Sequence, residues 1–127
     1  MTTPVDAFDL PEWLGEGEVT WTPECGIHDR HLVPGFLTGA GDAKVPCALL
    51  AVDEAYPTPV ADEQLRHESH QAWRHGQVHL VSYDGSLTLA VPGRTFTAEL
   101  VLEVLSRLAK AVGARPESYA VLLRLGS

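Results

Sequence analysis

The dipeptide Asp84-Gly85 stands between Gln77-Val-His-Leu-Val-Ser-Tyr83 and Ser86-Leu-Thr-Leu-Ala-Val91, and it constrains the fold more than any other feature of the chain. Two residues of this kind between alternating apolar runs specify a tight hairpin of type I′, because Asp-Gly tolerates the positive φ angles that match strand twist. The turn fixes the register. Tyr83 must face Ser86, Val81 Thr88 and His79 Ala90 on one side, while Ser82 faces Leu87, Leu80 Leu89 and Val78 Val91 on the other. The second set is apolar and turns to the core. The first set is mixed, so it is wet or touches something else.

The segment after the hairpin is equally decided. Thr97 is a capping residue with Glu99 near the positive end of a helix and Phe96 and Val101 placed as a staple. Val101, Val104, Leu105, Leu108 and Val112 fall on one stripe, Glu103 and Arg107 form an i,i+4 pair on the other, and Gly113 ends the run. Tyr119 to Leu125 reads as a last strand, with a short helix as the competing reading because Pro116 can open one.

Before the hairpin, Val45 to Asp53 is a nearly continuous apolar run, suited to a central strand covered on both faces. Thr58-Pro59 opens a helix with Asp62 and Glu63 in its first turns, and Arg74-His75-Gly76 closes it. Its apolar stripe is thin (Ala61, Leu65, Ala72, Trp73), which places it on the surface. Glu18 to Thr22 alternates as a short strand, and His31 to Thr38 forms a second, interrupted by Pro34-Gly35. Residues 1–17 scatter Phe8, Leu10, Trp13 and Leu14 among acids, prolines and glycines without periodicity, as an acidic arm would.

The 127 residues therefore form one α+β domain: an arm over 1–17, N-terminal strands over 18–44 and a core over 45–127. From Val45 the order strand, helix, strand, strand, helix, strand predicts a ferredoxin-like split βαβ core, an antiparallel sheet with two helices on one face. The alternative is a three-stranded meander, a helix, a hairpin and two helices.

Charge narrows the partners. Residues 1–29 hold seven acids and no Lys or Arg, while the rest of the chain is near neutral, for a net charge of −8. Nucleic acid and anionic membrane need the opposite sign and are not expected. With no basic residue before Arg30, no long apolar run and two cysteines too few for a disulfide framework, the expectation is a cytoplasmic chain with free thiols.

Candidate chemistry is sparse. Cys25, His28, His31 and Cys47 supply the right ligand types for zinc, though their spacing matches no standard zinc module. His67-Glu-Ser-His70 is one residue short of the metalloprotease pattern. Asp53-Glu54 follows the central strand, where a solvated loop is the simpler reading. His79 is the unusual histidine, mid-strand on the mixed face. These features point to a non-catalytic domain that binds another protein or its own copy, as a homodimer, with no cofactor. The expected surface joins the sheet face (His79, Val81, Tyr83, Thr88) to Phe8, Leu10, Trp13 and Leu14 of the arm. A zinc module or metal-dependent enzyme is the alternative, and a small-molecule sensor the third.

Overall fold

The computed structural model describes residues 2–24, 32–52, 63–83, 86–93 and 96–121. In chain order these contain strands β1 (Thr2–Pro4), β2 (Val19–Pro23), β3 (Leu32–Val33), β4 (Gly35–Thr38) and β5 (Lys44–Val52), then helix α1 (Glu63–Arg74). Strands β6 (His79–Tyr83) and β7 (Ser86–Pro92), helix α2 (Ala98–Ala111) and strand β8 (Tyr119–Val121) follow, and single 3-10 turns lie at Ala7–Asp9, Glu12–Gly15 and Pro116–Ser118. The strands form one open sheet in the order β1-β6-β7-β5-β4-β2-β8, with β3 also paired to β5.

The hairpin has the register the Asp84-Gly85 spacing demands, from Tyr83 opposite Ser86 to His79 opposite Ala90. Helix α2 is built as its sequence requires. Thr97 accepts a hydrogen bond from the Leu100 amide at 3.1 Å, Val101, Val104, Leu105 and Leu108 are buried, and Gly113 takes a φ of 80° just past its end.

Strand β5 explains the layering. Cys47, Leu49 and Ala51 enter one core with Leu80, Leu89 and the buried stripe of α2, while Leu50 and Val52 enter a second with Leu65 of α1, Val81 and Ala90. Successive side chains point to opposite faces of a sheet, so this run needs a cover on each side. The two helices supply them from opposite faces. The expectation of both helices on one face is thereby corrected.

The sheet is mixed rather than antiparallel: β5 pairs with β7 in parallel, and β2 with β8 in parallel. A ferredoxin-like sheet would set the strands at the β5 and β7 positions antiparallel and place the final strand beside β5. Here β2, β4 and β5 form the antiparallel meander of the alternative reading. That meander occupies the free edge of β5, and the last strand pairs with β2 instead. The described part, Tyr119–Val121, is strand and not helix.

The N-terminal residues are not a detached arm. β1 extends the sheet beside β6, the Val5 amide donates to the Leu80 carbonyl at 2.9 Å, and Leu14 is fully buried. Val5, Ala7, Leu10 and Trp13 pack against the larger core. An apolar segment next to an incomplete core gains more by docking than by remaining in water. Trp21, also fully buried, lies against Gly35 of the neighbouring strand; a Cβ there would sit 2.8 Å from the indole ring. No helix among the described residues is long and apolar enough to cross a membrane.

Candidate functional site

Of the four candidate zinc ligands, Cys25, His28 and His31 lie outside the described residues. Cys47 points into the larger core, fully buried, and its backbone carbonyl accepts a hydrogen bond from Trp21 Nε1 at 2.9 Å. Burial pushes the Cys47 thiol up to about 12. Zinc takes the thiolate, and an apolar setting works against that form. Among the described residues no group of three or more His, Cys, Asp or Glu is arranged to hold a metal ion.

The histidines of α1 and β6 separate. His67 and His75 are exposed, and His70 Nε2 lies 3.2 Å from the Val52 carbonyl oxygen, which fastens the helix to the end of β5. His79 pairs with Glu68 of α1, Nε2 to Oε2 at 3.2 Å. Burial lowers the His79 pKa below its ordinary value, and the Glu68 charge and hydrogen bond pull it back up. The pair sits between helix and sheet, where it orients α1. Asp53 and Glu54 lie outside the described residues.

The sheet face expected to be open is therefore covered. Helix α1 lies over it, Val81 and Ala90 are buried in the second core, and Thr88 is buried with its hydroxyl donating to the Ser86 carbonyl at 3.2 Å. Tyr83 is partly exposed at the end of β6. The four aromatic and aliphatic residues of the N-terminal segment also part company. Leu14 is core, Leu10 and Trp13 are partly buried, and Phe8 is 95% exposed on a turn whose Asp6 carboxylate accepts from the Phe8 amide at 2.9 Å. A shallow groove of about 300 Å³ beside Phe8 runs to Val112 at the end of α2.

Among the described residues, the part of the sheet that no helix covers lies elsewhere. Register places Thr20, Thr22, Phe36, Thr38, Lys44 and Pro46 on the same face of the sheet as Leu50, toward the β8 edge. Helix α1 packs on β5, β6 and β7 and reaches no further as a layer. Phe36 belongs to neither core, and Lys44 Nζ stands 4.1 Å above its ring centroid. Lys44, Pro46 and, on β8, Ala120 are exposed. The signal for this face is present in the sequence: Thr20 and Thr22 alternate with buried Val19 and Trp21, and Phe36 and Thr38 with buried Gly35 and Leu37. The break at Pro34-Gly35 obscures the phase of the second strand, so the face is not read from spacing alone.

Comparison with known proteins adds no relative: no protein-family model, no curated protein and no solved structure matches this chain.

Proposed function

We propose that this chain is a non-catalytic protein-binding module whose docking surface is the half of the second sheet face that α1 leaves uncovered. One observation carries the reading. The face carries an aromatic ring, a proline and alanines at sheet positions where the neighbouring three strands have a helix for cover. A flat patch with an aromatic anchor and a hydroxyl-bearing rim has the make-up of an interface more than of a reaction site. The net charge of −8 disfavours nucleic acid as the partner.

A photo-crosslinking residue placed at Phe36, compared with one at the exposed Gln71 of α1, tests this in the native host. The expected result is a discrete adduct from position 36 that is absent from position 71 and is lost when Thr20 and Thr38 are both changed to Arg. Equal adducts from both positions, or none from position 36, overturn the reading.

Self-association is a second reading, favoured by the exposure of Phe8. Light scattering across a concentration series decides it. A mass fixed at 13.8 kDa throughout removes the homodimer, and a doubled mass that Phe8→Ser abolishes supports it.

A further inference from the structure

We infer that the groove beside Phe8 seats a basic segment of another protein, with an arginine side chain laid against the Phe8 ring and its guanidinium directed at the carboxylates of Glu12 and Glu16. The groove lies with the larger core on the α2 side of the sheet, so this site is separate from the face toward β8 and does not rest on it.

Phe8 is the first argument. Single apolar residues scattered over a surface need no account, but this one is held in place. Its amide donates to the Asp6 carboxylate at 2.9 Å, and the Asp9 and Leu10 amides close the turn on the carbonyls of Asp6 and Ala7 at 2.9 and 3.2 Å. On either side Ala7 and Leu10 pack against the core. The ring is nevertheless 95% exposed, where Leu102, the other large apolar side chain in water among the described residues, is 53% exposed. An aromatic ring presented on a fixed turn loses little further backbone freedom on binding, which is the property of an anchor.

The groove supplies the second argument. It holds about 300 Å³, the low end of the range for small-molecule sites, and suits one long side chain better than a helix or a strand. Ala7, Leu10, Pro11 and Val112 give it apolar walls, and Glu12 and Glu16 stand beside them. An arginine matches that division. Its stem covers apolar surface while its planar head pairs with carboxylates and stacks on a ring.

Charge is the third. Among the described residues no Lys or Arg lines the groove, and none forms an ion pair with Glu12 or Glu16. Gly15 meets the end of α2 so closely that a Cβ would lie 2.7 Å from the Val112 carbonyl oxygen, which brings the negative end of that helix to the same place. The bases nearest Val112 in the chain are Lys110, which lines a different groove with Gly76, Gln77 and Val78, and Arg115, which pairs with neither glutamate.

A second copy competes for the same residue. A two-fold contact at Phe8 would set Asp9, Glu12 and Glu16 against their own images, on chains of net charge −8 each. A basic segment meets the same carboxylates with the opposite sign.

The probes are three short synthetic peptides, alike except at one central position flanked by leucines, which is Arg, Gln or Glu. Each is titrated into full-length, isotopically labelled protein at physiological ionic strength, and amide shifts are followed. The Arg peptide is expected to move the Ala7, Phe8, Glu12, Gly15, Glu16 and Val112 amides, and the Glu peptide to leave them in place. Affinity for the Arg peptide should fall roughly tenfold with Phe8→Ser, roughly tenfold with Glu12→Gln and Glu16→Gln together, and further as salt is raised. Unchanged Leu49 and Leu89 amides show that the variants are folded.

No movement of those six amides at about 1 mM Arg peptide overturns the inference. So does equally tight binding of the Gln or Glu peptide, or unchanged affinity in Phe8→Ser. Free arginine that binds as tightly as the peptide makes the groove a small-cation site and removes the protein partner. A mass that doubles with concentration and returns to 13.8 kDa in Phe8→Ser makes the occupant a second copy.

Discussion

The Tyr119 hydroxyl donates a hydrogen bond to the Leu14 carbonyl oxygen at 2.7 Å, joining residues 105 positions apart. It ties the last described strand to the N-terminal segment and seals one end of the larger core. Burial, and secondarily the neighbouring Cys47, holds the phenol above its ordinary pKa, so it remains a neutral donor throughout the working range. Tyr119→Phe leaves a buried carbonyl without its partner and is expected to cost about 1–3 kcal/mol, seen as a lower urea midpoint with an unchanged slope. Leu14→Ala, which removes a fully buried side chain, should cost about 2–5 kcal/mol. A Tyr119→Phe variant as stable as the parent means that the bond contributes nothing.

Arg107 joins the two helices. Its guanidinium stacks 3.5 Å from the Trp73 ring centroid. Nη1 donates to the carbonyls of Trp73 at 2.8 Å and Gln77 at 3.0 Å, while Nε and Nη2 reach Glu103 at 3.2 and 3.0 Å. The Trp73 carbonyl, in the last turn of α1, also accepts from the Gly76 amide at 3.1 Å, so the arginine adds a second donor there from a neighbouring element. Lysine lacks the planar fork and cannot stack in the same way. Arg107→Lys is expected to lose about 1–2 kcal/mol and to speed hydrogen exchange at Gly76 and Gln77 ahead of the hairpin amides. Uniform protection across all three would show the clamp to be idle.

The features legible in the sequence are local. The hairpin register, the α2 stripe and cap and the Gly76 and Gly113 stops each depend on residues within a few positions of one another. The placement of the helices is not local. It depends on β5 being apolar on both faces at Leu49 to Val52 and on which side each connection turns. Spacing assigns the last strand to the edge of β5 because it does not reveal that β4 already fills that edge. Leu14 reads as part of an arm because its partner, Tyr119, lies at the other end of the chain. The candidate site shows the same division. His79 stands out by its position in the strand, but its partner Glu68 comes from a helix whose landing face only the folded sheet determines. Phe36 escapes the sequence reading because Pro34-Gly35 breaks the alternation that would have placed it beside Thr20 and Thr22.

The His79–Glu68 pair gives stability a pH dependence whose sign is set by burial. Desolvation lowers the folded-state pKa of His79 below the ordinary 6.5, and Glu68 opposes the shift without reversing it. Between the lowered value and 6.5 the unfolded chain binds more protons at this site than the folded chain. Stability therefore rises with pH across that window. The contribution is complete above 6.5 and is lost as pH falls to the folded-state value. Urea midpoints measured from about pH 5 to 7 should climb in the parent and flatten in His79→Gln. Glu68→Gln removes the opposing pull and should steepen the climb. Parallel profiles for the parent and His79→Gln would place the titration elsewhere.

Cys47 provides the test of the sealed core and, with it, of the metal alternative. With the thiol pushed up to about 12, its thiolate at pH 8 is about one part in ten thousand, and the side chain has no solvent access. In a Cys25→Ser variant Cys47 is the sole thiol of the chain. A disulfide reagent should then react only as fast as the core opens, with the rate rising through the urea transition to that of a free thiol. Prompt labelling in native buffer would mean that Cys47 is accessible, and accessibility is what a zinc ligand shared with Cys25, His28 and His31 would need before metal arrives. Elemental analysis of untagged protein purified without chelator completes the test. A buried, apolar Cys47 predicts no stoichiometric zinc, whereas about one zinc per chain, lost on Cys25→Ser together with stability, would place Cys47 at the edge of a metal site and make the core around β5 dependent on it.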